Sequence, residues 1–241
     1  MLTTPPFAPS TLHALNALNI QSLADVQKQG AVYTFLLLKA AGHTVTRRVL
    51  WQLHAACLGI SVHQLSDTDK ADLLTILHTH PPVALFPPID NMAYFMQQAL
   101  IQAQQAAQCG EVPVGAVVVH NNRIIAAAHN RCVAACDVSQ HAEIGALAAA
   151  GVALGNYRLA ECDVYITLEP CMMCAGALLQ ARVRRVIFGA YEPKMGMAGS
   201  VFNVFTDRRF NQHTAIQGGV LAEDCQAVLQ HFFQQKRLRQ S

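Results

Sequence analysis

Two short stretches carry the residues best able to do chemistry: His141-Ala142-Glu143 and, about thirty residues later, Pro170-Cys171-Met172-Met173-Cys174. One imidazole and two thiols make three soft donors, the number a catalytic zinc takes when its fourth position is kept for water. Cys171 and Cys174 stand three apart on what reads as the first turn of a helix, so both sulfurs fall on one face. A helix N-terminus favours thiolate over thiol. Pro170 suits a helix start, where a missing N–H costs nothing. His141 and Glu143 also open a helical stretch, Gln140-His141-Ala142-Glu143-Ile144-Gly145-Ala146-Leu147. Zinc held by these residues lowers the pKa of its water to about 7. Glu143, two residues from a ligand, can move that water's proton without binding the metal.

A Cys-x-x-Cys pair alone also serves as half of a structural zinc site or as a redox pair. A four-cysteine site needs a second such pair, and Cys57, Cys109, Cys132, Cys136, Cys162 and Cys225 supply none at that spacing. His-x-Glu followed by Pro-Cys-x-x-Cys is the known signature of the zinc-dependent nucleobase deaminases, whose glutamate shuttles protons and is not a ligand. The residues therefore point to hydrolytic deamination on a catalytic zinc, with structural zinc as the alternative.

The elements around the motif must hold both helix starts together. Asp163-Val164-Tyr165-Ile166-Thr167-Leu168 reads as a strand feeding directly into the Cys171 helix, and Arg185-Val186-Ile187-Phe188-Gly189-Ala190 as the next strand. Val114–Val119 and Ile124–Ala128 flank Asn121-Asn122, a pair suited to a tight hairpin. Asp90 is expected to cap an amphipathic helix through Met92, Phe95, Met96, Ala99, Leu100 and Ala103. A last helix carries Cys225, Val228, Leu229, Phe232 and Phe233 on one face and ends in Lys236-Arg237-Leu238-Arg239. Strands separated by helices predict an α/β sheet with helical layers, the zinc lying across two helix N-termini.

Residues 1–80 look different, an all-helical segment punctuated by Gly30, Gly42 and Gly59, with Ser22, Thr46 and Ser66 or Asp67 as candidate caps. Its histidines are scattered and no pair suggests catalysis. Pro81-Pro82 and Pro87-Pro88 bracket Val83-Ala84-Leu85-Phe86, a stiff extended connection. The expected organisation is a small helical domain over 1–80, a proline-rich linker over 81–90, and a zinc-dependent domain over 91–241.

Bulk properties agree with a folded chain. Of 241 residues, 52% are hydrophobic and 13% charged, which excludes a disordered protein. A net charge of +2 argues for no nucleic-acid partner by itself, so local clustering must carry that claim. The N-terminal stretch has neither the basic nor the apolar region of a secretory signal. No apolar run approaches the ~20 residues a membrane helix needs. Eight cysteines, two of them expected as zinc thiolates, fit a reducing cytoplasm better than a disulfide scaffold.

From about residue 91 onward the chain resembles the bacterial tRNA-specific adenosine deaminases. The resemblance is carried by Glu111-Val112-Pro113-Val114-Gly115-Ala116, His129-Asn130-Arg131, His141-Ala142-Glu143-Ile144, Asn156-Tyr157-Arg158-Leu159, 167–177 and Gly199-Ser200. It implies the cytidine-deaminase-like three-layer α/β/α fold, a homodimer whose RNA site uses both subunits, and one Zn2+ per subunit. The implied substrate is the wobble adenosine in the anticodon stem-loop of an arginine tRNA, converted to inosine in the cytoplasm. His141, Cys171 and Cys174 match the zinc ligands and Glu143 the proton shuttle. Asn130 matches the asparagine that hydrogen-bonds the flipped base, Val114 a residue packing on it, and Ala142 and Lys194 further substrate contacts. Two departures stand out: Glu192 where the family commonly has Asp, and Tyr191 where it often has Arg. A Glu carboxylate there can still accept a ribose hydroxyl. Arg131, Arg158, Lys236, Arg237 and Arg239 are the candidates for tRNA backbone contact, within a wider basic cluster that includes Arg182, Arg184, Arg185, Arg208 and Arg209.

Residues 12–74 resemble the C-terminal domain of the TfoX family, chiefly through 18–26 and 32–39, which implies a helix-hairpin-helix-like fold. That family usually has glycine in the first hairpin, where this chain reads Ala14-Leu15-Asn16-Ala17-Leu18. A backbone nest for phosphate favours glycine, so the helical domain is not expected to hold nucleic acid. Two rivals to tRNA deamination remain. One is a deaminase of free guanine, cytosine or deoxycytidylate on the same fold. The other is a non-catalytic tRNA-binding subunit, which could dispense with Glu143.

Overall fold

In the computed structural model the layers are set by side-chain alternation. The strands are β1 (Gly115–His120), β2 (Arg123–His129), β3 (Cys162–Leu168), β4 (Arg185–Ala190) and β5 (Ala215–Gln217), ordered β2-β1-β3-β4-β5. Ala116, Val118, Val164, Ile166, Val186 and Phe188 enter one buried cluster, while Val117, Val119, Tyr165 and Ile187 enter the other. Odd and even residues thus face opposite sides, as a pleated strand requires. Both faces are apolar because both are covered. The first cluster also contains residues of α8 (Ala142–Leu154) and α9 (Met172–Gln180); the second contains residues of α6 (Ile89–Gln108) and α10 (Ala222–Leu238). This is a three-layer α/β/α sandwich. The contact of α6 with the sheet is so close that a Cβ at Gly115 would collide with the Ala99 carbonyl.

Register decides where the chain exits the sheet. β1 runs antiparallel to both neighbours, pairing Ala116 with Ala128 of β2 and with Ile166 of β3. β3, β4 and β5 are parallel. The start of β1 and the ends of β2 and β3 therefore share one edge, from which Asn130 and Cys171 emerge. The β1–β2 turn places Asn121 and Asn122 at φ 49° and 60°, the left-handed pair that a two-residue hairpin of type I′ demands.

The structure describes residues 2–80, 83–207, 209–210 and 214–238. It divides into two compact units, Met1–Leu85 and Phe86–Ser241. Pro81-Pro82 of the expected linker, Arg208 and Arg239 lie outside the described residues. Among those described, no helix is long and apolar enough to cross a membrane.

The smaller unit is helical: α1 (Pro9–Ala17), α2 (Leu23–Gln29), α3 (Ala31–Ala40), α4 (Arg47–Leu58) and α5 (Asp67–Thr79), with a 3-10 turn at Val62–Gln64. Leu15, Ile20, Val26, Phe35, Leu38, Leu50, Leu53 and Leu73 make its core. Ser22 and Ser66 close capping boxes with Asp25 and Asp69, whereas Thr46 occupies the cap of α4 without a side-chain bond.

Three details differ from expectation. Pro88, not Asp90, precedes α6, and Asp90 falls in its first turn, where its charge still complements the helix dipole. β5 and the one-turn helix α7 (Cys132–Ala135) leave no signal in the sequence, since three and four residues are too few to show a period.

Candidate active site

His141 and Cys171 are both helix N-caps. His141 precedes α8 with φ −73° and ψ 152°, and Cys171 precedes α9 with φ −74° and ψ 175°. Each side chain is thus thrown off the helix end and toward the other, while Cys174 reaches the same point from the first turn of α9. His141 Nδ1 lies 3.8 Å from Cys171 Sγ and 3.4 Å from Cys174 Sγ. All three donor atoms fall within 4.8 Å of one another. Nitrogen and sulfur on one tetrahedral zinc stand about 3.6 Å apart, so the donor set fits zinc in type, number and spacing. Without a cation the two thiols cannot both ionise. Hydrogen bonds from the Cys174 thiol and from His141 hold Cys171 down at about 4 against the cost of burial. Cys174 is pushed up, first by that same bond and then by burial.

Glu143 stands in the first turn of α8 beside this cluster, only 3% exposed, and its Oε2 has no hydrogen-bond partner among the described residues. Burial holds its carboxyl above the usual carboxylate range. A buried carboxyl with an unpaired oxygen is rare in a folded protein and marks a place where a ligand group is to be met.

Asn130 is buried, and its side-chain Oδ1 accepts the backbone N–H of Ala142 at 2.9 Å. Its own backbone N–H donates to the Val114 carbonyl at 3.1 Å. Val114, Asn130 and Ala142 are therefore stitched together next to His141. The Ala142 N–H is already spent on Asn130, while the Asn130 NH2 has no hydrogen-bond partner among the described residues. Glu192 binds the Lys194 backbone N–H at 3.0 Å through Oε1, and Lys194 is exposed.

For two buried carboxylates the sequence indicates no role beyond their place in the matching stretches. Glu111, 1% exposed, accepts the N–H groups of Val133 and Ala134 at 3.0 and 2.8 Å and so fixes the short helix α7 that follows Asn130. Glu169 takes four donors from the loop after β4. Burial raises its carboxyl, but bonds from Ser200, Glu192 and Ala198 outweigh that and leave it below the usual range. The only local hint was an acid within an otherwise apolar strand-to-helix passage.

The basic residues divide. Arg184 and Arg185 both bind the buried Asp163, through Nε at 3.0 and 2.7 Å, so they brace β3 against β4. Arg209 is paired with Asp207. Arg158 follows the C-terminal end of α8, a helix about 20 Å long, and stacks over Tyr157; the fold does not bring it to the cluster. Arg131 directly follows Asn130 and is exposed. Lys236 shares a groove with Gln108 and Gly110 at the end of α6, and Arg237 is exposed beside it.

A mixed sheet covered by helices on both faces, with a His-Cys-Cys cluster across two helix N-termini, defines the cytidine-deaminase-like class. Residues 89–237 match the model of the MafB19-like deaminases, and residues 7–77 that of the TfoX C-terminal domain. The chain is 43% identical over 143 residues to a tRNA-specific adenosine deaminase of Bacillus subtilis, covering 59% of this chain and 89% of that one. Against the Haemophilus influenzae enzyme of that name, identity is 45%, covering 59% and 83%. A solved structure from a study of A-to-I editing by tRNA:A34 deaminases superposes with TM-score 0.55 at 40% identity, over 56% of this chain and 99% of the other. The chain belongs to the tRNA-specific adenosine deaminase family.

Proposed function

We propose that this chain hydrolyses adenosine to inosine and ammonia at the wobble position of a tRNA anticodon, that of an arginine tRNA. His141, Cys171 and Cys174 would hold one zinc per subunit, whose chemistry when bound is to make water a nucleophile at neutral pH. The observation that carries the reading is the unpartnered Glu143 oxygen buried beside the three-donor cluster. Glu143 takes a proton from the attacking water and gives it to the purine ring nitrogen, then takes the remaining proton of the newly added hydroxyl and gives it to the amino group, which leaves as ammonia when its bond to the ring carbon breaks. A raised carboxyl suits both halves of that cycle, because it is able to give the proton back. Asn130 offers its NH2 to an acceptor on the flipped base, Val114 packs against the ring, and Glu192 and Lys194 meet the flanking nucleotides. A loop base is already partly unstacked, which keeps the cost of flipping low. Arg131, Lys236 and Arg237 are the proposed phosphate contacts.

The active form proposed is a cytoplasmic homodimer. Support comes from an apolar hollow of about 670 Å3 lined by Ile144, Leu147, Val152 and Tyr157 of the α8 side and Ala177 of α9. Val152 is 85% and Tyr157 69% exposed in the single chain, a costly apolar surface unless a second copy covers it.

The deciding experiment incubates the zinc-loaded chain with an anticodon stem-loop bearing adenosine at the wobble position and measures inosine. Ammonia release from guanine, cytosine and deoxycytidylate is followed in parallel. Inosine in the RNA supports the reading; ammonia from a free base without inosine replaces it with the small-molecule alternative. Neither product would leave a non-catalytic RNA-binding subunit.

A further inference from the structure

Glu169 is an ionisable group in a position where the proposed chemistry uses none. It is 2% exposed and lies two residues before Cys171. Its Oε2 accepts from the Glu192 N–H at 3.0 Å and from the Ser200 hydroxyl. Oε1 accepts from the N–H groups of Ala198 and Ser200 at 2.9 and 3.0 Å. Backbone bonds tie the same segments again: Met197 N–H donates to the Pro170 carbonyl at 2.9 Å, and Glu169 N–H to that of Ala190 at 2.8 Å. Gly196 has to be glycine, because a Cβ there would collide with the Glu169 carboxylate. The loop so clamped presents Tyr191 and Lys194 to solvent and carries Glu192.

We infer that Glu169 is a positioning residue for substrate: it locks the 191–203 loop in register with Cys171, so that Glu192 and Lys194 meet RNA at a fixed distance from the reacting carbon. The inference rests on the reading of Glu192 and Lys194 as RNA contacts. Only a carboxylate accepts four donors in this arrangement, two at each oxygen, and an ionised acceptor makes such bonds roughly twice as strong as a neutral one. Glutamine keeps the shape but one acceptor oxygen. With that oxygen toward Ala198 and Ser200, its NH2 can donate to the Ser200 hydroxyl but meets the Glu192 N–H as donor against donor. Glu169→Gln therefore cuts the tether at Glu192 and leaves the far end of the loop attached.

The test uses full-length Glu169→Gln and wild type on the anticodon stem-loop, with zinc content and peptide-level hydrogen exchange measured beside the kinetics. Expected are full zinc occupancy, KM raised about tenfold with kcat changed less than about threefold, and faster exchange in 191–203 but not in 141–154. A purely structural prop for Cys171 would lower zinc content and kcat together, and that result, or an unchanged KM, overturns the inference. If Glu169→Gln does not fold, Ser200→Ala removes only the hydroxyl bond and is expected to raise KM about two- to threefold; no rise overturns it. If wild type forms no inosine, the functional reading fails by itself. Exchange then still decides the clamp, unaltered uptake in 191–203 counting against it.

Discussion

The side-chain oxygen of Asn130 accepts the backbone N–H of Ala142 at 2.9 Å, bridging the end of β2 and the first residue of α8. Because the Ala142 partner can only donate, the orientation of the amide is fixed and its NH2 is left for a ligand. Asn130→Asp keeps the acceptor and loses the donor. It is expected to fold and hold zinc while kcat/KM for the stem-loop falls about 100-fold, the worth of one positioned donor. Asn130→Ala also orphans the Ala142 N–H and is expected to lose a further ~1–2 kcal/mol of stability. Wild-type activity in the Asp variant would remove Asn130 from the substrate site.

Glu143→Gln is expected to keep zinc and lose at least ~100-fold in turnover, the lower bound for a proton-transfer group. Metal analysis beside the inosine assay reads both halves, and an active variant would end the shuttle role. The same substitution has a signature without metal. Burial raises the Glu143 pKa above its unfolded value, so wild type is penalised at pH above the unfolded pKa, where the unfolded chain ionises freely. Urea unfolding of the metal-free proteins should show Glu143→Gln the more stable near neutral pH. The advantage should vanish as pH falls below the unfolded carboxylate range.

The reacting groups were legible in the sequence because their geometry is local. A helix start turns His141 and Glu143 inward, and the Cys171–Cys174 spacing needs only one turn. The sheet was legible from alternation, and the Asn121-Asn122 hairpin from its two left-handed residues. What sequence could not show is which backbone N–H groups remain unpaired after folding. That is why Glu111 and Glu169, each serving a segment twenty or more residues away, read in the sequence as ordinary motif members. For the same reason Arg184 and Arg185 read in the sequence as part of a phosphate-binding cluster, whereas the fold pairs both with Asp163.

The proposed dimer face predicts a simple disruption. A carboxylate at Val152 would have to be desolvated in the interface but costs nothing in the single chain, where the position is open. Val152→Glu is expected to weaken self-association at least tenfold, about 1.4 kcal/mol, by sedimentation at several concentrations. Wild type sedimenting as a monomer at assay concentration, with full activity, would refute the dimer itself.

Deleting residues 1–80 is expected to leave tRNA deamination largely intact. The three candidate ligands, Glu143, Asn130, Lys236 and Arg237 all lie in the larger unit, which has its own two buried clusters. The helical unit is poorly equipped to hold RNA through its hairpin. Ala14-Leu15-Asn16-Ala17, read in the sequence as the hairpin, lie inside α1, and the turn falls after them; it places Asn19 at φ 58°, and the N–H groups that follow, of Gln21 and Ser22, are both taken by the Asp25 carboxylate at 3.0 and 2.8 Å. The chain's own anion thus fills the donors that a phosphate would use. Five Lys and Arg against four Asp and Glu over 1–80 add little long-range attraction. A weak contact elsewhere on the unit could still act as a tether by raising effective concentration. The measurement is kcat/KM on whole tRNA and on the isolated stem-loop, with and without residues 1–80. Equal values within a factor of ten are expected; a loss beyond about tenfold, or ~1.4 kcal/mol, on tRNA but not on the stem-loop would make the helical unit a substrate-binding arm.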